Sequence, residues 1–376
     1  MKKKRIGIVG GGQLGRMIAI DAIKLGYNIT VIDPTPNCPA AQVGAEQIIA
    51  DYNDEKAIRK LAKISDYLTF EIELANATLL DELSEKGLQI NPSAKTLAII
   101  KDKLAQKQFL KKHRIAVADF IEVQTADDVK RIAKKFGYPL VLKARFDAYD
   151  GRGNALIKNE QQIAKGFKKL RGRKLYVEKF VPFIKELSVI TARNINGEII
   201  SYPVVETHHK NNILHMLYSP APISESEKKK AQRLAEKTMQ HLNGAGVFGI
   251  EMFLTEDGNV LINEIAPRVH NSGHHTIEAF ETSQFEQHAR AVTGMPFGST
   301  KMKMPAAVMT NILGERDGAT KPTGVKEAEK IPGVTVHLYG KLQTRKERKM
   351  GHLTAIAKTL AEAKRNAKKA RKMITI

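Results

Sequence analysis

Apolar positions in the first quarter of the chain follow two alternating spacings. Arg5–Val9 is a short, β-branched run closed by glycines. Leu14–Leu25 repeats its apolar residues at a helical period, and Asn28–Ile32 reads as a second buried strand. A strand–loop–helix–strand unit of this kind usually belongs to a parallel sheet. The alternation continues with strands over Gln47–Ala50, Asp66–Phe70 and Leu88–Ile90, and helices over Asp54–Lys63 and Thr78–Glu85. Asn91-Pro92-Ser93 is a stop followed by a helix start, so a Rossmann-like α/β domain is expected over residues 1–100.

Ser93–His113 predicts one or two helices. Residues 120–190 mix short strands with helices over Ala126–Phe136 and Glu160–Leu170, an α+β pattern. Asn196-Gly197, between the β-rich runs Leu187–Arg193 and Glu198–Val205, is a hairpin signal. Ser224–Leu242 predicts a long helix. A second hairpin is expected from Gly249–Leu254 and Val260–Asn263 around Glu256-Asp257-Gly258-Asn259. The chain from about residue 302 is β-rich and closes with a helix over Thr359–Met373.

Composition narrows the class. Cys38 is the only cysteine, which excludes an intrachain disulfide and points to a cytoplasmic protein. No apolar run approaches the roughly 18–20 residues of a membrane span. The run Ile6–Val9 after Lys2–Arg5 is too short for the apolar core of a secretory signal. The net charge of +21 raises the question of nucleic acid or phosphorylated partners. Aromatics are only 6% with no tryptophan, and the lysines follow helix-like spacings. Solvated faces therefore explain the charge better than a nucleic-acid surface. The basic excess peaks at Gln343–Ile376, with 11 basic and 2 acidic residues.

Five stretches can carry chemistry. Gly10-Gly11-Gly12-Gln13-Leu14-Gly15 fits G-x-G-x-x-G between a strand and a helix, where backbone N–H groups suit an anion, usually a phosphate. Asp33 ends the second strand where dinucleotide binders hold a ribose, so a nicotinamide-dependent oxidoreductase is a first alternative. Glu71 and Glu73 stand at a strand end on the ligand-binding edge of such a sheet. Lys143 and the loop Tyr149–Gly153 suit closure over a polyphosphate. Glu251 and Glu264 lie on the two strands of one hairpin, flanked by apolar residues. A carboxylate placed there is costly unless paired or metal-bound, and two hard carboxylates without a thiolate favour Mg²⁺ over Zn²⁺. Arg268, His270, Asn271, His274 and His275 follow at once, and the arginine beside the acids fits an anion-and-magnesium site better than zinc.

Taken together, GGGQLGR at Gly10–Arg16, Glu71-Ile72-Glu73, YDGRG at Tyr149–Gly153, NEIAPRVHNSG at Asn263–Gly273 and SQFEQH at Ser283–His288 resemble the N5-carboxyaminoimidazole ribonucleotide synthetase family of the ATP-grasp superfamily. The resemblance runs in order along nearly the whole chain, and Asn263–Gly273 is its most specific part. It implies three parts: the α/β N-terminal domain at 1–100, an ATP-grasp domain at 101–300 with a mobile lid at about 118–182, and a small β-rich C-terminal domain at 301–376. It also implies a homodimeric ligase of purine biosynthesis. ATP would phosphorylate bicarbonate to carboxyphosphate, which carboxylates 5-aminoimidazole ribonucleotide, with Mg²⁺ or Mn²⁺ as cofactor. The nearest rival with this fold is a formate-using glycinamide ribonucleotide transformylase, which His270–Gly273 resembles less.

By resemblance, Lys103 and Lys143 meet the nucleotide phosphates. The lid loop Ala148, Tyr149, Asp150, Gly151, Arg152, Gly153 and Asn154 closes over ATP, with Tyr149, Asp150 and Arg152 facing both substrates. Glu178, Lys179, Phe180 and Val181 form the strand beside adenine, Glu186 meets the ribose, and His209 lies on the nucleotide side. Glu251 and Glu264 are the metal ligands, with Asn263 adjacent. Arg268, His270 and Asn271 surround bicarbonate and the aminoimidazole, and Gln13, Leu14, Glu73, Lys341, Arg348 and Lys349 hold the ribonucleotide. The chain departs from the family pattern at Leu74, Asp147-Ala148, Thr207 and Lys346-Glu347, none of which removes a matched ligand.

Overall fold

A computed structural model describes residues 3–147 and 153–376. The lid-loop residues Ala148, Tyr149, Asp150, Gly151 and Arg152 lie outside the described residues.

The N-terminal strands β1 (Arg5–Val9), β2 (Asn28–Ile32), β3 (Glu46–Ile48), β4 (Tyr67–Phe70) and β5 (Gln89–Ile90) form a parallel sheet in the order β3-β2-β1-β4-β5. Helices α1 (Gln13–Lys24), α2 (Glu55–Ile64) and α3 (Ala77–Glu85) connect the strands. Strand order reverses beside β1, so the loops after β1 and β4 meet at one crevice. The expected strand at Gln47–Ala50 starts one residue earlier and ends at Ile48.

The segment after Ser93 is two helices, α4 (Ala94–Lys101) and α5 (Lys103–Lys112). Asp102 divides them. Its extended backbone (φ −94°, ψ 104°) ends α4, and its carboxylate accepts from the N–H groups of Leu104 and Ala105 to cap α5. The same carboxylate pairs with Arg145, tying the helix start to the next sheet.

That sheet has four strands: β6 (Phe120–Val123), β7 (Leu140–Ala144), β8 (Asn154–Ile157) and β9 (Leu175–Lys179), in the order β6-β9-β7-β8. Helices α6 (Ala126–Phe136) and α7 (Ile163–Lys169) cover one face, burying Val129, Ile132 and Ile163 against Leu140, Leu142 and Val177.

Nine of the remaining strands build one sheet. It contains β10 (Phe183–Arg193), β11 (Ile199–Ser201), β12 (Val205–Lys210), β13 (Ile213–Ser219), β14 (Gly246–Thr255) and β15 (Val260–Ala266), with α8 (Glu225–Leu242) packed on it. Ser224 and Glu227 close a capping box at the start of α8. After α9 (Thr276–Ala279) and α10 (Gln284–Thr293), the sheet continues through β16 (Ala306–Leu313), β18 (Val334–Leu338) and β20 (Lys349–Ala357). The short pair β17 (Gly318–Ala319) and β19 (Gln343–Thr344) stands apart from it. Helices α11 (Val325–Glu329) and α12 (Leu360–Met373) cover the far end.

β13 pairs with β16, so the C-terminal strands extend the sheet that carries Glu251 and Glu264. The basic tail is explained locally. Ala363, Ala367 and Ala370 bury one stripe of α12, while Arg365, Lys368 and Lys369 face solvent and the Lys364 ammonium lies 3.7 Å from the centre of the Tyr218 ring.

Asp102→Ala removes the cap of α5 and the partner of Arg145. The expected loss is about 1–2 kcal/mol from the cap, with more from the stranded guanidinium. Urea unfolding followed by circular dichroism measures it; a change under about 0.5 kcal/mol would mean that α5 needs no cap.

Candidate functional site

The glycine-rich turn after β1 holds an anion, but one supplied by the chain. Glu71 follows β4 and accepts from Gly12 N–H at 2.5 Å and Gly15 N–H at 2.6 Å. Its carboxylate fills the place at the start of α1 that the sequence suggests for a phosphate. Burial pushes the Glu71 carboxyl up, against those two hydrogen bonds. A Cβ at Gly12 would sit 2.7 Å from Glu71 Oε1, which explains the glycine. Asp33 is likewise spent inside the fold, accepting from Gly11 N–H (3.1 Å), Thr35 N–H (2.8 Å) and Tyr52 Oη (3.2 Å). Two features behind the oxidoreductase alternative are therefore structural. The N–H groups of Gln13 and Leu14 lie between the two bonds to Glu71, in the first turn of α1, where amides have no intrahelical partner.

A β-bulge builds the acidic pair. Glu251 on β14 is the cross-strand partner of Glu264 on β15, whereas the next residue, Met252, pairs with Ile262. Asn263 is the extra residue. Bulging lets the consecutive Asn263 and Glu264 both meet lysines instead of pointing to opposite faces. Asn263 Oδ1 accepts from Lys143 Nζ at 3.3 Å, and Glu264 pairs with Lys103.

Helix α5 supplies the cations from one face. Lys103, Gln106 and Lys107 stand at i, i+3 and i+4. Gln106 exchanges hydrogen bonds with the Ile265 backbone. Lys107, only 2% exposed, donates to Ile262 O at 3.2 Å and pairs with Glu178 at 3.0 Å. Glu178 on β9 also binds Lys143 of β7 at 2.8 Å. Against a burial that favours the neutral acid, Lys107 and Lys143 hold Glu178 down to about 2.

The acids of the bulge split in the same way. Burial, then the Glu264 charge, raises Glu251; against burial, Lys103, then Lys143 and Lys107, lower Glu264. Facing carboxylates with an adjacent amide oxygen and a lysine already drawn to them fit a hard divalent cation held by Glu251 and Glu264.

Next to this pair, Glu186 Oε2 meets His209 Nδ1 at 2.5 Å. Although burial opposes it, that bond and the Glu251 charge raise the His209 pKa. His270 Nε2 lies 3.7 Å from Glu251 Oε1. Burial, then Arg268 and Lys349, push His270 well below its usual pKa and keep it neutral. Gly249 makes this packing possible, because a Cβ there would lie 2.4 Å from the Cβ of His270. Arg268 crosses to the N-terminal domain and pairs with Glu73 at 3.1 Å. The Asn271 amide is locked in a reciprocal pair with Asn311 on β16 (3.0 and 2.6 Å).

The other residues singled out in the sequence are placed as follows. Lys179 N–H donates to Asp119 O and Phe180 N–H to Pro139 O, so these backbone donors of the strand end are already used, and Val181 O accepts from Phe183 N–H. Gly153 O accepts from Ala144 N–H, and Asn154 pairs across to Lys143 on β7. Lys341 Nζ donates to Lys349 O at 2.6 Å, and Arg348 Nη1 to Gln343 O at 2.6 Å. Burial, followed by Arg348, brings Lys341 down to about 7. The Lys349 charge helps lower the pKa of Lys341 and His270 and opposes the rise at His209.

Sequence reasoning missed Lys107, although it shares a helix face with Lys103. It also missed Gln284, which is fully buried. Gln284 Oε1 accepts from His270 N–H at 2.9 Å, and its Nε2 donates to His270 O at 2.7 Å. The side chain thus acts as a strand partner for the segment carrying His270. Ser272 binds His270 Nδ1 at 2.8 Å and Ser188 Oγ at 2.7 Å, fixing the ring from the other side.

Comparison with known proteins gives three domain matches in chain order. These are the ribonucleotide synthetase preATP-grasp domain over residues 1–101, the ATP-grasp domain over 108–285, and the phosphoribosylaminoimidazole carboxylase C-terminal domain over 307–366. The phosphoribosylaminoimidazole carboxylase of Ogataea methanolica is 44% identical over 375 residues, covering 97% of this chain and 68% of that protein, so the chain spans about two thirds of its length. The crystal structure of N5-carboxyaminoimidazole ribonucleotide synthetase from Thermotoga maritima has a TM-score of 0.91 and 44% identity, covering 99% of each chain. The Aspergillus clavatus synthase, crystallised with ADP and 5-aminoimidazole ribonucleotide, has a TM-score of 0.91 and 34% identity over 98% of each chain.

Gln284→Leu strands the N–H of His270 in a part-buried place, while its C=O keeps Gly273 N–H, at about 1–3 kcal/mol for the orphaned donor. Urea unfolding should show a loss of that order. An unchanged midpoint would mean that the segment finds other partners.

Proposed function

The chain belongs to the N5-carboxyaminoimidazole ribonucleotide synthetase family, and from that membership we propose the reaction and the parts its residues play. With Mg²⁺, for which Mn²⁺ can substitute, ATP phosphorylates bicarbonate to carboxyphosphate. The exocyclic amine of 5-aminoimidazole ribonucleotide attacks its carboxyl carbon and releases phosphate, giving N5-carboxyaminoimidazole ribonucleotide and ADP. The protein is a cytoplasmic homodimer in this reading. Among the described residues no helix is long and apolar enough to cross a membrane.

One observation supports the proposal: His270 lies beside the acids of the bulge and feels the charges of Arg268 and Lys349. Its ring lies 3.7 Å from Glu251, and its pKa is lowered by Arg268 and Lys349 after burial. The nucleotide side comprises Lys103, Lys143, Glu186, His209 and the acids of the bulge. Glu251 and Glu264 would hold the divalent ion, which would supply positive charge to the phosphates, and Lys103, now paired with Glu264, would then be available to them. On the other side, Arg268, oriented by Glu73, binds bicarbonate and then the carboxyphosphate. Neutral His270, held in line by Ser272 and Gln284, lies beside the attacking amine and adds no positive charge there. Asn271, whose own amide is engaged by Asn311, positions this segment. Lys341, Arg348 and Lys349, with the first amides of α1 at Gln13 and Leu14, hold the ribonucleotide phosphate. Tyr149, Asp150 and Arg152 close over both substrates and keep water from the labile intermediate.

ADP release should require ATP, bicarbonate and 5-aminoimidazole ribonucleotide together. Turnover on formate and glycinamide ribonucleotide instead would replace this reading with the transformylase. Glu264→Gln should lower ADP formation by about 100-fold or more, since a metal-held charge is worth several kcal/mol in the transition state. Near-normal turnover would make Glu264 a structural acid.

The ribonucleotide set has its own signature. Arg348→Ala should raise the KM for 5-aminoimidazole ribonucleotide about 10- to 150-fold, the loss of one charge-assisted contact, and leave the KM for ATP nearly unchanged. Lys368→Ala on the solvated face of α12 should alter neither. Lys341, with its pKa near 7, adds a pH dependence. Its ammonium is present below that value and lost above it, so affinity for the phosphate should weaken by up to roughly tenfold per unit above pH 7. The phosphate's own second ionisation near pH 6 acts in the opposite sense below that range. Lys341→Met should bind more weakly and without the alkaline fall; an unchanged alkaline limb would remove Lys341 from the phosphate.

A further inference from the structure

Glu278, His337 and His352 form a cluster that the proposed reaction does not use. His337 on β18 and His352 on β20 are direct cross-strand partners, with ring centres 4.7 Å apart. Glu278 on α9 reaches them from above the sheet, and its Oε1 binds His337 Nε2 at 2.6 Å. One ligand atom from each of the three lies within 4.8 Å of the others. Two atoms of the cluster are orphaned. Glu278 Oε2 and His352 Nε2 are buried without a hydrogen-bond partner, and His352 is fully buried. Such orphans cost about 1–3 kcal/mol each unless something fills the space between them.

The hydrogen bonding around the cluster selects what fits. Tyr339 Oη binds His352 Nδ1 at 3.0 Å. With Nδ1 carrying the proton and donating to that oxygen, Nε2 presents a bare lone pair, the arrangement found behind metal-bound histidines. Access exists: a surface groove between Arg16–Ile20 of α1 and Val336–Tyr339 opens onto His337.

We propose that Glu278, His337 and His352 bind a divalent ion of the zinc class, separate from the acids of the bulge. Two imidazoles and a carboxylate are the donor set for zinc, with water as fourth ligand. Tetrahedral zinc spaces its ligands about 3.4 Å apart given bonds of about 2.0–2.1 Å, so the Glu278–His337 contact at 2.6 Å must open and wider separations, up to 4.8 Å, must close. The ion would take the place of the Glu278–His337 hydrogen bond and satisfy both orphans. It would also clamp β18 to β20, fixing Lys341 and Lys349, which follow and begin these strands. The proposal does not rest on the reaction assigned above.

The test uses the full chain, stripped with chelator and then titrated with Zn²⁺, with Co²⁺ as a spectroscopic probe. One equivalent of Zn²⁺ should bind tightly in wild type and in Glu264→Gln, which removes the other acidic site. Tetrahedral Co²⁺ absorption and a rise in Tm should accompany binding. His337→Gln and His352→Gln should each weaken it by 100-fold or more. His337, half-exposed, keeps the test open where the buried His352 variant does not fold. Absence of uptake, or uptake lost in Glu264→Gln and retained in His337→Gln, would overturn the proposal; an ordered water would then fill the space.

Discussion

The site depends on one face of α5. Lys103 reaches Glu264, Gln106 grips the Ile265 backbone, and Lys107 reaches Glu178. These contacts join β15 of the large sheet to β9 of the four-stranded sheet. Without the lysines, Glu178 and Glu264 would be buried acids with no counter-charge, which removing one partner makes strongly unfavourable. Asp102, by ending α4 and capping α5, sets where that face begins.

The same contacts leave the site charged but balanced before any ligand arrives. Glu178 is ion-paired twice, with Lys107 and Lys143, and is a fixed part of the frame. Glu264 has a lysine that a divalent ion can replace, and Glu251 is destabilised as an anion by Glu264 itself. Like charges across the bulge thus favour a cation between them, one that could take the place of Lys103 beside Glu264. A neutral His270 at 3.7 Å from Glu251 adds no positive charge to compete with that ion.

Some of this was legible in the sequence and some was not. The parallel order of the first sheet follows from its strand–helix alternation. Glu251 and Glu264 stand out because their neighbours are apolar. The bulge at Asn263 leaves no such mark, since it is a property of the pairing between two strands. Lys107 was within reach of the sequence, because Lys103 and Lys107 are one helical turn apart. Gln284 was not: its role appears only when α10 packs beside the segment at His270. The pairing of β13 with β16 is equally invisible, because a chain cannot announce a partner so distant along it. Lys341 and Arg348 were distinguished from the rest of the basic tail by resemblance, not by composition.

The glycine-rich turn shows why pattern and function separate. A strand, a glycine turn and a helix start create backbone donors and a positive end whatever anion is present. In this chain Glu71 comes from the neighbouring strand and takes the amides of Gly12 and Gly15, so the phosphate-binding appearance of the turn is met internally. That internal anion also has a positional effect. It anchors the loop after β4, which two residues later carries Glu73, the partner of Arg268. The turn therefore acts on the site through Glu71, Glu73 and Arg268, with Gln13 and Leu14 as the remaining amides of the helix start. A glycine motif read as a cofactor cradle is, in this fold, the anchor of an arginine on the far side of the crevice.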